Sequence, residues 1–187
     1  MPAISKREQI ISAALKLFYH DGFNATGIDR IITEAGVSKK TLYNHFKSKD
    51  ELILVVLRKR DETFRNKIMR ETERLASTAA ERLLSIFDAH HNWFNEKDFS
   101  GCMFINASAE FSSQQDPKHI LCAEHKTLIK NYICSIAKEV NIIEPEILTE
   151  KINLLLEGAI VEAHVSGNKD SVLLAKDIAR ELVEKSS

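Results

Sequence analysis

Apolar positions along the chain recur at intervals of three and four residues, the period of helices that turn one face to a core. Structure breakers are sparse, with six Gly and three Pro in 187 residues. The pattern predicts an all-α chain of about nine helices. The first runs from about Lys6 to His20, with Ile10, Ile11, Ala14, Leu15 and Phe18 on one face and Gly22 just beyond its end. The second starts after Thr26, where Thr26-Gly-Ile-Asp29 has the spacing of a capping box with Asp29 in the usual Glu or Gln position. Ile28, Ile31, Ile32 and Ala35 form its buried stripe. Gly36 ends it, and after a short turn Ser38 caps a third helix, with Val37 and Leu42 spaced as a hydrophobic staple. Leu42 and Phe46 face the core, and two helices joined so tightly form a helix-turn-helix over residues 27–46.

From Ser48 to Leu75 there is neither Gly nor Pro, and Leu52, Ile53, Val56, Leu57, Phe64 and Ile68 predict one long helix linking two domains. Further helices are expected over residues 78–95, 104–111, 117–140, 145–166 and 170–185, with loops over 95–101 and 112–116. Pro117 and Pro145 suit first helical turns and Gly167 a helix end. The expected division is a helix-turn-helix domain over residues 1–49 and a larger helical domain over 50–187.

Composition narrows the class. With 44% hydrophobic residues the chain buries an ordinary core, and no apolar run approaches the roughly 20 residues that span a bilayer. The opening MPAISKREQ lacks the apolar stretch of a signal peptide, so a cytoplasmic location and no membrane partner are expected. Cys102, Cys122 and Cys134 are too few and too irregularly spaced for a disulfide framework or a zinc site. The net charge of −1 hides an asymmetry: residues 1–49 carry eight Lys and Arg against four Asp and Glu, so a basic head precedes an acidic body. That is the polarity expected of a chain that meets nucleic acid with its N-terminal part.

The third helix carries the sharpest chemical signal. Lys39 and Lys40 occupy its first turn, where the helix dipole and unpaired amides favour anions, and such local conflicts tend to mark functional sites. With Leu42 and Phe46 turned inward, the 100° step places Lys40, Thr41, Tyr43 and Asn44 outward, flanked by Lys39 and His45. Asn44 suits a base edge, Thr41 a thymine methyl or a phosphate, and Tyr43 and His45 backbone oxygens, while Lys49 is placed for a phosphate on the adjoining strand. Any one of these residues alone is equally well a solvated surface group.

Ala35-Gly-Val-Ser38 followed by Thr41-Leu-Tyr-Asn-His-Phe46-Lys-Ser-Lys49-Asp-Glu-Leu52 closely resembles the signature of the TetR/AcrR regulators. The resemblance extends back through Ile10 to Phe18, Gly22-Phe23 and Thr26 to Ile32, about the first third of the chain. It implies that Thr41, Tyr43, His45 and Lys49, with Lys39 and Lys40, contact operator DNA; Thr26, Gly27, Ser38 and Asn44 complete the expected set. It also implies an all-helical C-terminal domain that binds a small molecule and pairs two subunits. In place of a long basic arm stand only Lys6 and Arg7, so minor-groove reading by an arm is not expected.

The larger domain speaks less clearly. Gly101 to Phe111 looks like a recurring middle-helix segment in one branch of the family. Trp93, Phe94, Met103, Phe104, Asn106, Phe111, His125 and Tyr132 have the makeup of a mostly apolar ligand cavity, and equally of plain core. His119, Cys122 and His125 are three apart, but such steps drift around a helix, and no metal site is expected. No basic residue adjoins Cys102 in sequence, which favours a small buried apolar role over a redox one. Near the C-terminus Leu155, Leu156, Ala159, Ile160, Ala163, Leu174, Ile178 and Leu182 form broad apolar faces suited to a four-helix dimer interface.

These readings converge on a sequence-specific transcriptional regulator, a homodimeric repressor released from double-stranded operator DNA by a small-molecule effector, needing no cofactor. Two alternatives stand beside it. One is an architectural DNA-binding protein without ligand control; the other is a DNA-processing enzyme with a borrowed helix-turn-helix, although no phosphate loop or nucleophile elbow is present.

Overall fold

The structure is a computed structural model describing residues 4–140 and 142–186. Among these residues it contains nine helices and no strand: α1 (Lys6–Asp21), α2 (Ile28–Ala35), α3 (Lys39–His45), α4 (Lys49–Arg74), α5 (Ala79–Phe94), α6 (Met103–Glu110), α7 (Pro117–Glu139), α8 (Pro145–Val165) and α9 (Ser171–Ser186). The all-helical expectation therefore holds. The chain divides into two compact units, Met1–Glu62 with Met103–Glu124, and Thr63–Cys102 with His125–Ser187. Each is discontinuous in sequence because α4 and α7 supply residues to both. At 26 residues α4 is about 39 Å long, more than one small unit needs.

In the first unit Ser5 caps α1 by accepting from the Glu8 amide at 3.2 Å, and Ile10, Ile11, Ala14 and Phe18 are buried as the periodicity predicts. Leu17 is buried as well, whereas Leu15 is only half-buried. Phe18 stacks on Phe23 with ring centroids 5.1 Å apart. The capping box expected at Thr26 does not form. Gly27 is the N-cap of α2 and makes no side-chain bond, while the fully buried Thr26 donates its hydroxyl to the Gly22 carbonyl at 2.7 Å. The turn after α1 brings that carbonyl within reach and so captures the hydroxyl. Gly36 then ends α2 in the left-handed conformation (φ 60°, ψ 41°), which glycine adopts without strain, and Val37 donates back to the Ile32 carbonyl at 3.2 Å.

In the second unit Thr78 and Glu81 form a reciprocal capping box at the start of α5, which packs against α8 and α9. Asp88 on α5 pairs with Lys176 on α9 at 2.6 Å, and His91 with Asp170 at 3.0 Å. The core is strongly aromatic. Phe64 meets Trp93 edge-on at 4.6 Å, Trp93 meets Phe99 at 5.1 Å, and Phe94 packs on both Trp93 and Phe99. His90 lies within this nest and donates from Nδ1 to the Ile86 carbonyl at 2.7 Å, and burial pushes its pKa down to about 4.

Candidate nucleic-acid interface

The candidate reading face is built on α3. Leu42 and Phe46 are buried at 0% and 1% exposure, and they anchor a seven-residue helix too short to stand alone. Ser38 starts it by accepting from the Thr41 amide at 3.1 Å, and its hydroxyl also shares a 2.8 Å hydrogen bond with that of Thr41. With the anchor inside, Lys40, Tyr43, Asn44 and His45 are exposed together, Tyr43 at 46%. Lys39 is exposed and leans on Asp29 at 3.3 Å, a weak surface pair that a phosphate competes with readily. Ser38 and Gly27 are exposed beside it.

Lys49, the first residue of α4, donates to the Asn24 carbonyl at 3.4 Å. This ties it to the turn between α1 and α2. Thr26 is the exception in the expected DNA-contacting set: its hydroxyl is committed to Gly22, so its side chain serves the turn and does not face solvent. Arg7 does not extend outward as an arm either, its guanidinium lying 5.4 Å over the Phe46 ring.

The eight candidate cavity residues are divided between the two units. Trp93, Phe94, His125 and Tyr132 belong to the second, and Met103, Phe104, Asn106 and Phe111 to the first. Trp93 and His125 meet through Phe64, His125 at 5.9 Å from that ring, and Phe94 adjoins Trp93 at 5.4 Å. Tyr132 points elsewhere and donates its hydroxyl to Glu73 at 3.2 Å. Burial, with the Glu73 carboxylate beside it, pushes its pKa well above the usual phenol range. Phe111 is occupied structurally, meeting Phe23 edge-on at 5.6 Å with the Lys118 ammonium 4.6 Å over its ring.

One neighbour was not legible in the sequence. Cys102 does have a cationic neighbour: Lys126, 24 positions along, holds its ammonium 3.5 Å from the sulfur and 2.7 Å from Glu157. Burial opposes the charge on Lys126, but Cys102 and Glu157 together hold its pKa above the usual lysine range. The candidate dimer residues of α8 and α9 differ in exposure within the chain. Leu156, Ala159, Ile160 and Ala163 are only 2–5% exposed, already covered by their own chain, and Leu155 and Leu182 are half-buried. Leu174 (66%) and Ile178 (43%) stay exposed, joined by Leu154 (74%) and Val165 (79%), which periodicity alone did not single out. His119 donates from Nδ1 to the Phe111 carbonyl and Cys122 donates to the Lys118 carbonyl. Among the described residues no three His, Cys, Asp or Glu side chains are grouped to hold a metal ion.

Comparison with known proteins agrees with this geometry. Residues 10–56 match the family described as bacterial regulatory proteins, tetR family. The chain is 35% identical over 105 residues to the HTH-type transcriptional activator FasR of Mycolicibacterium smegmatis, a match covering 56% of this chain but only 47% of FasR. It is 25% identical over 190 residues to the HTH-type transcriptional regulator LmrA of Bacillus subtilis, covering 96% of this chain and 97% of LmrA. The crystal structure of a TetR-family transcriptional regulator from Streptomyces coelicolor superposes with a TM-score of 0.89 at 23% identity, over 97% of this chain and 96% of the other, which establishes a shared fold.

Proposed function

We propose that this chain, which belongs to the TetR family of transcriptional regulators, is a homodimeric repressor that reads a two-fold operator with α3 and leaves it when a small molecule binds. Members of this family are DNA-binding regulators and not enzymes. The observation that carries the reading is the α3 face: Lys40, Tyr43, Asn44 and His45 exposed together on a helix pinned by Leu42 and Phe46. Asn44 is suited to pair with a base edge, and Lys40, Tyr43, His45 and Lys49 to hold phosphates.

Pairing is supported by the exposed Leu154, Leu174 and Ile178, which border a groove between α8 and α9 of about 310 Å³. A symmetric contact there would cover them and supply the two-fold axis that a palindromic site requires. An effector bound in the C-terminal region is part of this reading, as the family resemblance implies. Such a ligand shifts the equilibrium only by its preference for the state that cannot bind DNA, typically about 1–3 kcal/mol. Repression is the proposed sense because a dimer seated on a promoter excludes other proteins from it. The relative FasR is an activator, so a promoter-reporter measurement decides the sign for this chain. Among the described residues no helix is long and apolar enough to cross a membrane.

The test is selection of fragments from random duplex DNA by the full-length protein, followed by binding of the Tyr43→Ala/Lys49→Ala variant to the selected sequence. A palindromic consensus is expected, with binding lost in the variant while helicity and dimerisation persist. Selection without any consensus favours an architectural protein, and undiminished binding by the variant removes α3 from the interface.

A further inference from the structure

The turn between α1 and α2 is held from a distant part of the chain. Gly22 leaves α1 at φ 86°, and the next two backbone amides point at one side chain, the carboxylate of Glu110 at the end of α6. Phe23 donates to Oε1 at 2.8 Å and Asn24 to Oε2 at 2.6 Å, so each oxygen takes one amide across more than 80 residues of sequence. Hydrogen bonds to an ionised acceptor are roughly twice as strong as neutral ones. A Cβ on residue 22 would lie 2.9 Å from Oε1, so the carboxylate approaches closely because glycine stands there. The hydrophobic contact runs in parallel: Phe23, fully buried, meets Phe111, the residue after Glu110, edge-on at 5.6 Å.

The remaining polar groups of the turn lead straight to the DNA-reading elements. The Gly22 carbonyl accepts from Thr26, immediately before the cap of α2, and the Asn24 carbonyl accepts from Lys49. From that origin α2 runs into α3 through the short turn closed by Gly36 and Ser38. Resting on the reading of α3 as the recognition helix, we infer that Glu110 is a positioning residue for DNA recognition. Its carboxylate fixes the origin of the helix-turn-helix and the place of Lys49, and thereby the angle at which α3 is presented. Bonds of 2.6 and 2.8 Å also make the arrangement sensitive to α6. A displacement of the carboxylate by about 1 Å directly away from the turn would take both bonds beyond the hydrogen-bonding range.

A residue that merely stabilises the fold would lower the melting temperature and weaken binding to all DNA alike. A positioning residue changes which spacing between half-sites is preferred, because two recognition helices must reach successive grooves about 34–36 Å apart. The experiment uses full-length wild type, Glu110→Gln, which keeps the side chain's size, and Glu110→Asp, which keeps its charge but shortens its reach. Each is measured by thermal unfolding, by sedimentation, and by binding to the selected operator and to versions with one base pair added or removed between half-sites.

In Glu110→Gln, affinity for the optimal operator is expected to fall by about tenfold. Its preference for the optimal spacing over the altered ones should collapse toward unity under conditions where it is folded and dimeric. Glu110→Asp should recover part of that preference. Exchange of the Phe23 and Asn24 amide hydrogens should be slow in wild type and should quicken in Glu110→Gln without any DNA present. Unchanged spacing preference in a folded Glu110→Gln protein, or protected amides at Phe23 and Asn24, overturns the inference. If wild type selects no operator at all, it is the DNA-reading function that falls, and the amide exchange alone then reports on whether Glu110 holds the turn.

Discussion

The helix-turn-helix and the α8/α9 pair use similar apolar anchors, yet they leave opposite things in water. Around Leu42 and Phe46 the exposed residues are Lys40, Tyr43, Asn44 and His45, hydrogen-bonding groups that solvent satisfies. On α8 and α9 the exposed residues are Leu154, Val165, Leu174 and Ile178, which solvent does not satisfy at all. Ionisable groups follow the same contrast. The helix-turn-helix carries its charges outside, whereas the second unit buries His90 among aromatic rings and draws Lys126 between Cys102 and Glu157. The polar face suits a partner exchanged with water, and the apolar face suits one that stays.

The largest expected effect breaks the apolar side of that contrast. Leu154→Glu with Leu174→Glu places like charges against their own copies across a two-fold axis and should weaken pairing by about 100-fold or more. Sedimentation at micromolar concentration should then show a monomer with wild-type helicity, and operator binding should fall with it. A dimer that survives both charges would move the interface elsewhere.

Next in size is the buried imidazole. His90 has its pKa lowered from 6.5 to about 4, so below pH 6.5 the unfolded chain takes up a proton that the folded chain refuses. Stability is therefore full above pH 6.5 and is lost as pH falls toward 4. Between pH 7 and pH 5 this group alone should remove about 2 kcal/mol. Denaturant titrations at the two pH values should show that loss, and His90→Gln should flatten the difference between them whatever its stability at pH 7.

Smaller effects sharpen the polar side. Ser38→Ala removes the cap of α3 and should cost about 1 kcal/mol in chemical unfolding, whereas Ser38→Asp should keep the cap yet repel phosphate. The smallest change in stability has the opposite sign. Lys40→Glu should raise stability by about 0.3–1 kcal/mol through the helix dipole while abolishing operator binding. A variant that gains stability and keeps its DNA affinity would show that Lys40 is an ordinary solvated lysine.

The helix-turn-helix was legible in sequence because its determinants are local: Gly36 and Ser38 punctuate it, and Leu42 and Phe46 share a face by the helical repeat alone. Thr26 was misread because two local bonding schemes were open to one hydroxyl, and only the turn of the chain at Gly22 favoured the second. On α8 and α9 the apolar residues run almost all the way around, so periodicity could not say which side the chain covers for itself; Leu156 went inside and Leu154 stayed out. The cation beside Cys102 and the carboxylate beside Phe23 were invisible for a plainer reason, since they come from 24 and 87 positions away.

By itself, then, the sequence determined an all-helical chain, its helix boundaries and the side chains offered on α3, because backbone hydrogen bonding, capping and the 3.6-residue repeat act within a few residues of each position. Tertiary structure decided what holds those elements in place. It brought Glu110 to the turn at Phe23, Lys126 to Cys102 and His90 into the aromatic nest, and it selected which leucines of α8 and α9 remained uncovered. Contacts of that kind depend on how distant segments pack, and no short-range pattern encodes them.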